Sequence, residues 1–335
     1  MATAPPPADA APQKLLVLDV DCGVDDAQAL MVALGDAARA RVLAITCCHG
    51  NTHVRQVADN VARVLRACGA RARVPVFLGA SLPLLAKPKH ATRFHGNDGL
   101  GDSPDPPDPR PVAVKEQKEH AVNALVRLAK ENPGQITLVA LGPLTNVALA
   151  TRMDPDFTSR LKELFIMGGT VEAHGNFTAS GEFNFVADPE AAYVVLETCS
   201  CPLLIASWEF TVRNAIPWEF YEEWTATDTE RGRFVKRISA KSAAFAQKSN
   251  RGFEPSVGPG FVPCDVYAVA AALDPDFVTQ WAEHSVRVEL QGALTRGQMV
   301  VDWLGIMKNP PLVKARIMVQ CDTARLMGML VAAVQ

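Results

Sequence analysis

The 335-residue sequence lacks the features of proteins that bind polyanions or insert into membranes. Its 33 basic and 36 acidic residues give a net charge of −3 and are spread along the chain, without a basic run of the kind that binds nucleic acid. No apolar run reaches the roughly 18 residues that a membrane-spanning helix requires. We therefore expect no nucleic-acid partner and no membrane association.

The sequence also lacks a cysteine pattern of structural type. Its eight cysteines have neither the spacing of a zinc site nor that of a small disulfide framework, and several lie within apolar runs. Reduced thiols of this kind are typical of cytosolic proteins. The opening MATAPPPADAAPQ has no basic residue and no apolar core, so it does not read as a secretory signal. We expect a disordered Ala/Pro-rich tail over residues 1–13 and a cytoplasmic location.

Short apolar runs alternate with helix-like segments along most of the remaining chain. This alternation, with nearly continuous apolar strands, indicates a mainly parallel central sheet flanked by helices on both faces. Without an internal repeat or a break in composition, residues 14–335 are predicted to form a single α/β domain of Rossmann-like type. The predicted strands are 15–20, 42–48, 74–79, 135–141, 161–168 and 201–207, followed by later ones at 286–290, 299–303 and 313–319; the clearest predicted helices are 25–35, 54–68 and 116–131, and 80–112 is predicted as a long loop.

Polar residues follow the predicted strands where each one ends. In open parallel sheets, ligands bind at the carboxyl ends of the strands. Asp21, Asp25 and Asp26 follow the first strand and Asn51 follows the second. A loop with Asn176, Glu182 and Asn184 follows the fifth strand. The sequence therefore predicts a functional site at this edge of the sheet.

The stretch KLLVLDVDCGVDDAQAL (14–30) places four carboxylates within eight positions. A hard divalent cation is the obvious counter-charge, because such ions bind carboxylate and carbonyl oxygens. An EF-hand is excluded, since Gly23 and Leu30 stand where its loop needs oxygen ligands. Two other interpretations remain open at this point: a helix N-terminus with surface acids, and the Asp-x-Asp of a haloacid-dehalogenase-type phosphatase.

Several motifs recur in a fixed order. The signature Asp-x-Asp-x-Gly-x-Asp-Asp at 19–26 is followed by HGN (49–51), HGNDGLGD (95–102), ALGPLTN (140–146), IMGG (166–169), GN (175–176), EFN (182–184), DPEAA (188–192), TRG (295–297) and VVDW (300–303). Together they cover most of the chain, and in this order they resemble the inosine-uridine-preferring nucleoside hydrolase family.

The resemblance implies the nucleoside hydrolase fold and an enzyme that uses Ca²⁺. The implied reaction is hydrolysis of the N-glycosidic bond of ribonucleosides, through a transition state that resembles an oxocarbenium ion. It would release ribose and a free base in nucleoside salvage, from purine ribosides such as inosine and with uridine as a further candidate. A homodimer or homotetramer is also implied. The alternatives are a nucleoside-binding protein that has lost turnover and a metal-dependent sugar-phosphate phosphatase.

The resemblance also implies residue roles. Ca²⁺ would be bound by Asp21, Asp26, Asp265 and the backbone carbonyl of Leu141. Asp21 would act as general base toward the attacking water. The remaining implied roles are orientation of this water by Asn51, acceptance of a hydrogen bond from the ribose 2′-hydroxyl by Asp25, and binding of the other sugar hydroxyls by Asn176, Glu182 and Asn184.

The main departure from the family pattern lies in CDVYAVA (264–270). Many relatives have His-Asp here, and that His is thought to protonate the leaving base; this chain has Cys264 followed by Asp265. The metal ligand is retained, whereas the usual general acid is missing. Cys264, His95 and Met167 are expected to border the substrate, although Cys264 and Met167 could be core residues and His95 could be solvated. The sequence does not indicate the preferred base.

Overall fold

The structure is a computed structural model that describes residues 13–70, 74–105, 116–249 and 260–335. Its strands within these ranges are β1 (Lys14–Val20), β2 (Ala40–Cys47), β3 (Val76–Leu78), β4 (Glu116–Gln117), β5 (Ile136–Ala140), β6 (Glu163–Met167), β7 (Leu203–Ala206), β8 (Val278–His284), β9 (Val286–Val288), β10 (Met299–Val301) and β11 (Ala315–Cys321). Its α-helices are α1 (Val24–Gly35), α2 (Val54–Ala67), α3 (Thr92–His95), α4 (Ala121–Glu131), α5 (Thr145–Met153), α6 (Phe183–Ala187), α7 (Pro189–Thr198), α8 (Trp208–Arg213), α9 (Trp218–Thr225), α10 (Glu230–Ser249), α11 (Cys264–Leu273) and α12 (Thr323–Val334).

Nine of these strands form one sheet in the order β4-β3-β2-β1-β5-β6-β7-β11-β8. All neighbouring pairs are parallel except β11 and β8, which pair in the antiparallel direction. β9 and β10 form a separate antiparallel pair. The mainly parallel sheet predicted from the alternating apolar runs is therefore confirmed.

Helices cover both faces of the sheet, and each face has its own apolar core. One core includes Leu30 of α1, Tyr267 of α11 and Leu330 of α12. The other includes Leu125 of α4 and Val195 of α7. Strands buried on both faces consist almost entirely of apolar residues, as in β5, where all five residues are buried. Among the described helices, none combines the length and apolarity that crossing a membrane would require.

β1 is the fourth of the nine strands across the sheet, next to the middle strand β5, and the strand order reverses between these two. β2 lies on one side of β1 and β5 on the other. The crossover helices leave the sheet in opposite directions at this point, which opens a crevice beyond the carboxyl ends of the strands. The loops after β1, β2, β5 and β6 all start at this edge.

Four details differ from the sequence-based expectations. The helix predicted over 116–131 begins at Ala121, because the His120 side chain caps it by accepting a hydrogen bond from the Val122 amide. Residues 116–117 extend the sheet as β4 instead.

The predicted strand at 286–290 is preceded by β8, which the sequence did not predict. β8 is an edge strand whose side chains are mostly not buried, so it forms no apolar run. The predicted loop 80–112, which is described as far as residue 105, contains the short helix α3. Residues 1–12 of the expected tail lie outside the described residues.

Candidate active site

Four aspartates converge where β1 leads into α1 and where α11 begins. Asp21 and Asp26 are 0% exposed and Asp265 is 2% exposed, whereas the side chain of Asp25 is 14% exposed. Carboxylate oxygens of Asp25, Asp26 and Asp265 all lie within 4.8 Å of one another. The carboxyl group of Asp26 also contacts that of Asp21. Residues from both ends of the chain therefore form one acidic cluster.

The backbone around Gly23 has no room for a side chain. A Cβ at this position would lie 2.6 Å from Asn51 Nδ2 and 2.7 Å from His95 Nδ1. The Gly23 amide donates a hydrogen bond of 2.8 Å to Asp26 Oδ2, which places this carboxylate at the first turn of α1. The positive end of the helix dipole favours negative charge there. Glycine at position 23 thus lets the HGN and HGNDGLGD loops approach the acidic cluster closely.

Asn51 joins the second strand to the first. Its backbone amide donates to Asp21 Oδ2 at 2.8 Å, and its Nδ2 donates to Asp21 Oδ1 at 3.1 Å and to Asp26 Oδ2 at 3.3 Å. A Cβ at Gly50 would lie 2.0 Å from Asp21 Oδ2. Both oxygens of Asp21 are therefore held by the loop after β2.

Burial and mutual repulsion make the negative charge of this cluster costly. Burial first, and then the charge of Asp25, raises the pKa of Asp26 to about 7. The pKa of Asp21 lies well above its ordinary value because of burial and the neighbouring Asp26. The pKa of Asp265 is likewise raised by burial and by Asp25. A cation would relieve this cost, and an all-oxygen donor set suits a hard divalent ion.

Two of the predicted metal ligands, Asp26 and Asp265, belong to the group of three carboxylates within 4.8 Å. The third member of that group is Asp25, for which a sugar-binding role is predicted, and Asp21 instead directs both oxygens to Asn51. The Leu141 carbonyl oxygen accepts a hydrogen bond of 2.8 Å from Asn184 Nδ2. The acidic cluster can hold a metal ion. Asp25 belongs to its group of three carboxylates, and Asp21 contacts one member of that group, Asp26.

The metal-free protein is expected to gain stability when the pH falls from about 8 to 6.5. Asp26 and Glu182 each have a pKa of about 7 in the folded protein, against ordinary values of 3.8 and 4.5. In this window the folded state takes up protons that the unfolded state does not bind, so stability falls as pH rises. His49, whose pKa burial lowers from 6.5 to about 4, opposes this gain weakly near pH 6.5 and more strongly at lower pH.

The measurement is the thermal unfolding midpoint of chelator-treated protein at the two pH values. Asp26→Asn removes one of the titrating groups at nearly constant volume, so its midpoint should depend less on pH and should exceed that of the parent protein at pH 8. A parent midpoint that is higher at pH 8 than at pH 6.5 would contradict the assignment of these raised pKa values.

The loop after β6 supplies the second side of the crevice. Glu182 caps α6, and its carboxylate accepts hydrogen bonds from the amides of Asn184 at 2.7 Å and Gly169 at 2.9 Å. Asn184 Nδ2 donates to the carbonyls of Leu141 and Met167, so it links the ends of β5 and β6. Burial raises the pKa of Glu182 to about 7.

Asn176 and Met167 lie on the same side but differ in environment. Asn176 is exposed, and its Oδ1 accepts a hydrogen bond of 2.9 Å from the Phe183 amide, next to Glu182. Met167 is buried at the end of β6, and its sulfur lies 3.7 Å from Asn184 Nδ2. The predicted sugar-binding residues are thus neighbours in the fold, with Asn176 nearest to solvent.

His95, the last residue of α3, is buried against the first turn of α1. Its Nδ1 accepts a hydrogen bond of 3.1 Å from the Val24 amide and lies 3.8 Å from Asp25 Oδ1. This contact replaces the side-chain cap that Gly23 cannot provide. Because Nδ1 is the acceptor, the proton of the neutral ring is on Nε2. Of the two environments considered for His95, the structure shows the one beside the acidic cluster rather than solvent.

Cys264 is buried at the first position of α11. Its sulfur lies 4.0 Å from Thr211 Oγ1 and 3.7 Å from the Val262 carbonyl oxygen. Burial first, and then the charge of Asp25, raises the pKa of the thiol well above its ordinary value. The thiol is therefore protonated at neutral pH.

Four buried polar side chains that the sequence did not single out hold the motif loops together: His49, Thr145, Asn146 and Asp188. His49 Nε2 lies 2.9 Å from Thr145 Oγ1, which donates to Asp188 Oδ2 at 2.7 Å. Asn146 donates to Asp19 Oδ1 at 2.8 Å and accepts from the Ala80 amide at 2.8 Å. The only sequence signal that these side chains link the loops is that they lie within the motifs HGN, ALGPLTN and DPEAA. Asp19 itself contacts Thr46 and Asn146.

Comparison with known proteins agrees with this geometry. The family model described as inosine-uridine preferring nucleoside hydrolase matches residues 16–328. The chain belongs to this family. It is 34% identical over 300 residues to an inosine-uridine preferring nucleoside hydrolase of Leishmania major, covering 87% of this chain and 88% of that protein.

Further relatives of this nucleoside hydrolase differ in the bases that their names give. It is 34% identical over 308 residues to the pyrimidine-specific ribonucleoside hydrolase RihA of Escherichia coli O9:H4 (strain HS), covering 92% of this chain and 94% of RihA. The solved structure of an inosine-guanosine nucleoside hydrolase matches with a TM-score of 0.84 at 33% identity, covering 96% of this chain and 99% of the other. The predicted nucleoside hydrolase fold and the predicted enzyme class, a ribonucleoside hydrolase that cleaves the N-glycosidic bond, are confirmed.

Proposed function

We propose that this protein is a Ca²⁺-dependent hydrolase that releases ribose and a free base from purine ribosides such as inosine, with uridine as a second substrate, in nucleoside salvage. The observation that carries the proposal is the buried, all-oxygen acidic cluster at the strand-order reversal, with Asn51 on one side and Glu182 and Asn184 on the other. The Asp-x-Asp of Asp19 and Asp21 is a feature that a phosphatase would share. No other feature of the described crevice favours a phosphatase or a nucleoside-binding protein.

The residues that would hold Ca²⁺ are Asp21, Asp26, Asp265 and the carbonyl of Leu141. When bound, the ion would polarise the attacking water and bind ribose hydroxyls. Asp21 would act as general base toward this water, and both of its carboxylate oxygens are held by Asn51. Asn51, which contacts both Asp21 and Asp26, holds this base in place and orients the water.

The ribose is bound between the two sides of the crevice. Asp25 is the partly exposed member of the acidic cluster, and it accepts a hydrogen bond from the 2′-hydroxyl. Asn176, Glu182 and Asn184 hold the other hydroxyl groups, and His95 and Met167 border the sugar and the base. A nucleoside that lacks one of these hydroxyls would leave a polar group of the site unpaired, which explains selection of ribose.

Changing Cys264 to alanine should lower kcat for inosine by less than about tenfold, which corresponds to under about 1.4 kcal/mol. The raised pKa of the buried thiol makes it a poor acid, so departure of the base depends little on it. A purine can be protonated at its imidazole nitrogen by solvent, whereas uracil offers no comparably basic site. Purine ribosides should therefore be hydrolysed at least as well as uridine.

The measurement is steady-state release of hypoxanthine and uracil by Cys264→Ala. Cys68→Ala at the end of α2 is the matched control, because it removes a thiol far from the acidic cluster. A hundredfold or larger loss in Cys264→Ala with unchanged Ca²⁺ affinity would make the thiol the general acid.

The proposed function is tested by incubating the purified protein with Ca²⁺ and inosine, adenosine, guanosine, uridine, cytidine or xanthosine. We expect ribose and free base from at least one purine riboside. Binding of inosine without hypoxanthine release would show a protein that has lost turnover, and phosphate release from sugar phosphates would show a phosphatase. We further propose that the protein is cytoplasmic and forms a homodimer or homotetramer. The molar mass in solution tests the oligomeric state.

A further inference from the structure

The loop between β6 and α6 carries Asn176 at the surface of the crevice. It leaves β6 through Gly168 and Gly169, which both have positive φ, and it exposes Glu172, His174 and Asn176. Val171 packs against one apolar core and the ring of Phe177 contacts that of Phe183, and the backbone hydrogen bonds of the loop also help to fix its position.

Three of those bonds go to a buried carboxylate on α8. Glu209, which is 5% exposed, accepts hydrogen bonds from the amides of Val171 at 2.9 Å, Glu172 at 3.0 Å and His174 at 3.2 Å. Several backbone N–H groups that converge in this way form an anion-binding nest. The anion in this nest belongs to the protein itself.

A second contact joins the same helix to the same loop. Arg213, one turn after Glu209, forms an ion pair with Glu172. This pair is largely exposed, so it contributes little by comparison with the buried carboxylate. On the other side of the loop, Glu182 binds the amide of Gly169. The two carboxylates hold the loop together with the hydrogen bonds from Thr170 Oγ1 to the Ser180 carbonyl and from the Phe183 amide to Asn176. Glu209 has no role in the proposed mechanism.

We infer that Glu209 is a positioning residue for the hydrolysis proposed above: by filling the backbone nest of residues 171–174, it fixes Asn176 at the crevice. The inference rests on the proposed function only where activity is the readout. Charge-assisted hydrogen bonds to backbone amides are stronger than neutral ones, and three of them define the backbone direction. Without the carboxylate, the three amides would lose their common partner.

The first test uses Glu209→Ala and hydrogen exchange. The variant leaves the nest lined by the three amides but without its anion. We expect the amides of residues 171, 172 and 174 to exchange at least tenfold faster than in the parent protein, and added acetate or formate to restore their protection in a saturable manner. Chloride at the same ionic strength should restore it less. Glu172→Gln, which loses the Arg213 ion pair but keeps the nest filled, is the matched control and should retain protection at residues 171 and 174.

The second test uses activity. We expect kcat/KM for inosine to fall at least tenfold in Glu209→Ala and to recover with acetate. If Glu209 acts through Asn176, adding Asn176→Ala to Glu209→Ala should cost much less than Asn176→Ala costs in the parent protein, because the two changes remove one shared interaction.

Unchanged exchange in Glu209→Ala, or lost protection that acetate does not restore, would overturn the inference. Fully multiplicative effects of the two substitutions would overturn the link to Asn176. If Glu209→Ala fails to fold, Glu209→Gln keeps the shape and one acceptor oxygen, and is expected to show a smaller acceleration of the same amides. A parent protein that hydrolyses no nucleoside would refute the proposed function, whereas the exchange measurements would still test the nest.

Discussion

Ribose release from inosine is expected to fall by more than about a thousandfold, about 4 kcal/mol, when Asp265 is changed to alanine. Treatment of the parent protein with EGTA should lower the rate to a similar level, and added Ca²⁺ should restore it. Asp265 contributes a buried carboxylate within 4.8 Å of those of Asp25 and Asp26, and it comes from a helix far along the chain. Its removal takes away one of the predicted ligands while the remaining acids still repel one another.

The measurement is reducing-sugar release together with the thermal unfolding midpoint with and without Ca²⁺. A ligand that binds only the folded state raises its stability, so Ca²⁺ should raise the midpoint of the parent protein but not that of Asp265→Ala. Asp276→Ala, which removes an exposed carboxylate shortly after the same helix, is the matched control and should behave like the parent protein. Full activity in the metal-free protein would refute the metal-dependent mechanism.

Changing Asp25 to alanine is expected to cost on the order of 3 kcal/mol or more in transition-state stabilisation, or at least about a hundredfold in kcat/KM. The reason is the loss of a charge-assisted hydrogen bond to the 2′-hydroxyl. For the same reason, 2′-deoxyinosine should be a very poor substrate of the parent protein. In Asp25→Ala, the two nucleosides should differ much less, because the group that distinguishes them is gone.

Calcium titration separates the two roles that the geometry allows for Asp25. If Asp25 binds the sugar, Asp25→Ala should retain most of its Ca²⁺ affinity; a loss as large as in Asp265→Ala would make Asp25 a ligand of the ion instead. Asp36→Ala, just beyond the opposite end of α1, is the control for removal of a negative charge from this helix. Equal cleavage of inosine and 2′-deoxyinosine by the parent protein would refute the ribose assignment.

The sequence predicts the central part of the fold because burial on both faces leaves an unmistakable pattern. β1, β2, β5, β6 and β7 are nearly continuous apolar runs, and each was predicted close to its observed bounds. β8 lies at the sheet edge with only Val278 buried, so it shows neither an apolar run nor clear alternation. Patterning that arises from burial is visible in the sequence only where burial is extensive.

The candidate site was predictable in part for a different reason. Asp21, Asp25 and Asp26 lie within six consecutive positions, so their density is itself a signal, whereas Asp265 could be added only through the resemblance to a family. Glu209 carries no such signal: its three partners lie more than thirty positions earlier in the chain and are backbone amides, which leave no trace in the residue types. Contacts to backbone become visible only when the packing of two elements is known.

The position of β1 inside the sheet, between β2 and β5, has a consequence for the order in which the parts of the site come together during folding. β1 needs β2 and β5 as neighbours, and α11, which carries Asp265, packs against α1, β5 and β6 although it lies far from them in the sequence. The carboxylate of Asp265 can therefore join those of Asp21 and Asp26 only after these distant segments have met. Because contacts between distant segments form slowly, we expect completion of the acidic cluster to be a late event in folding.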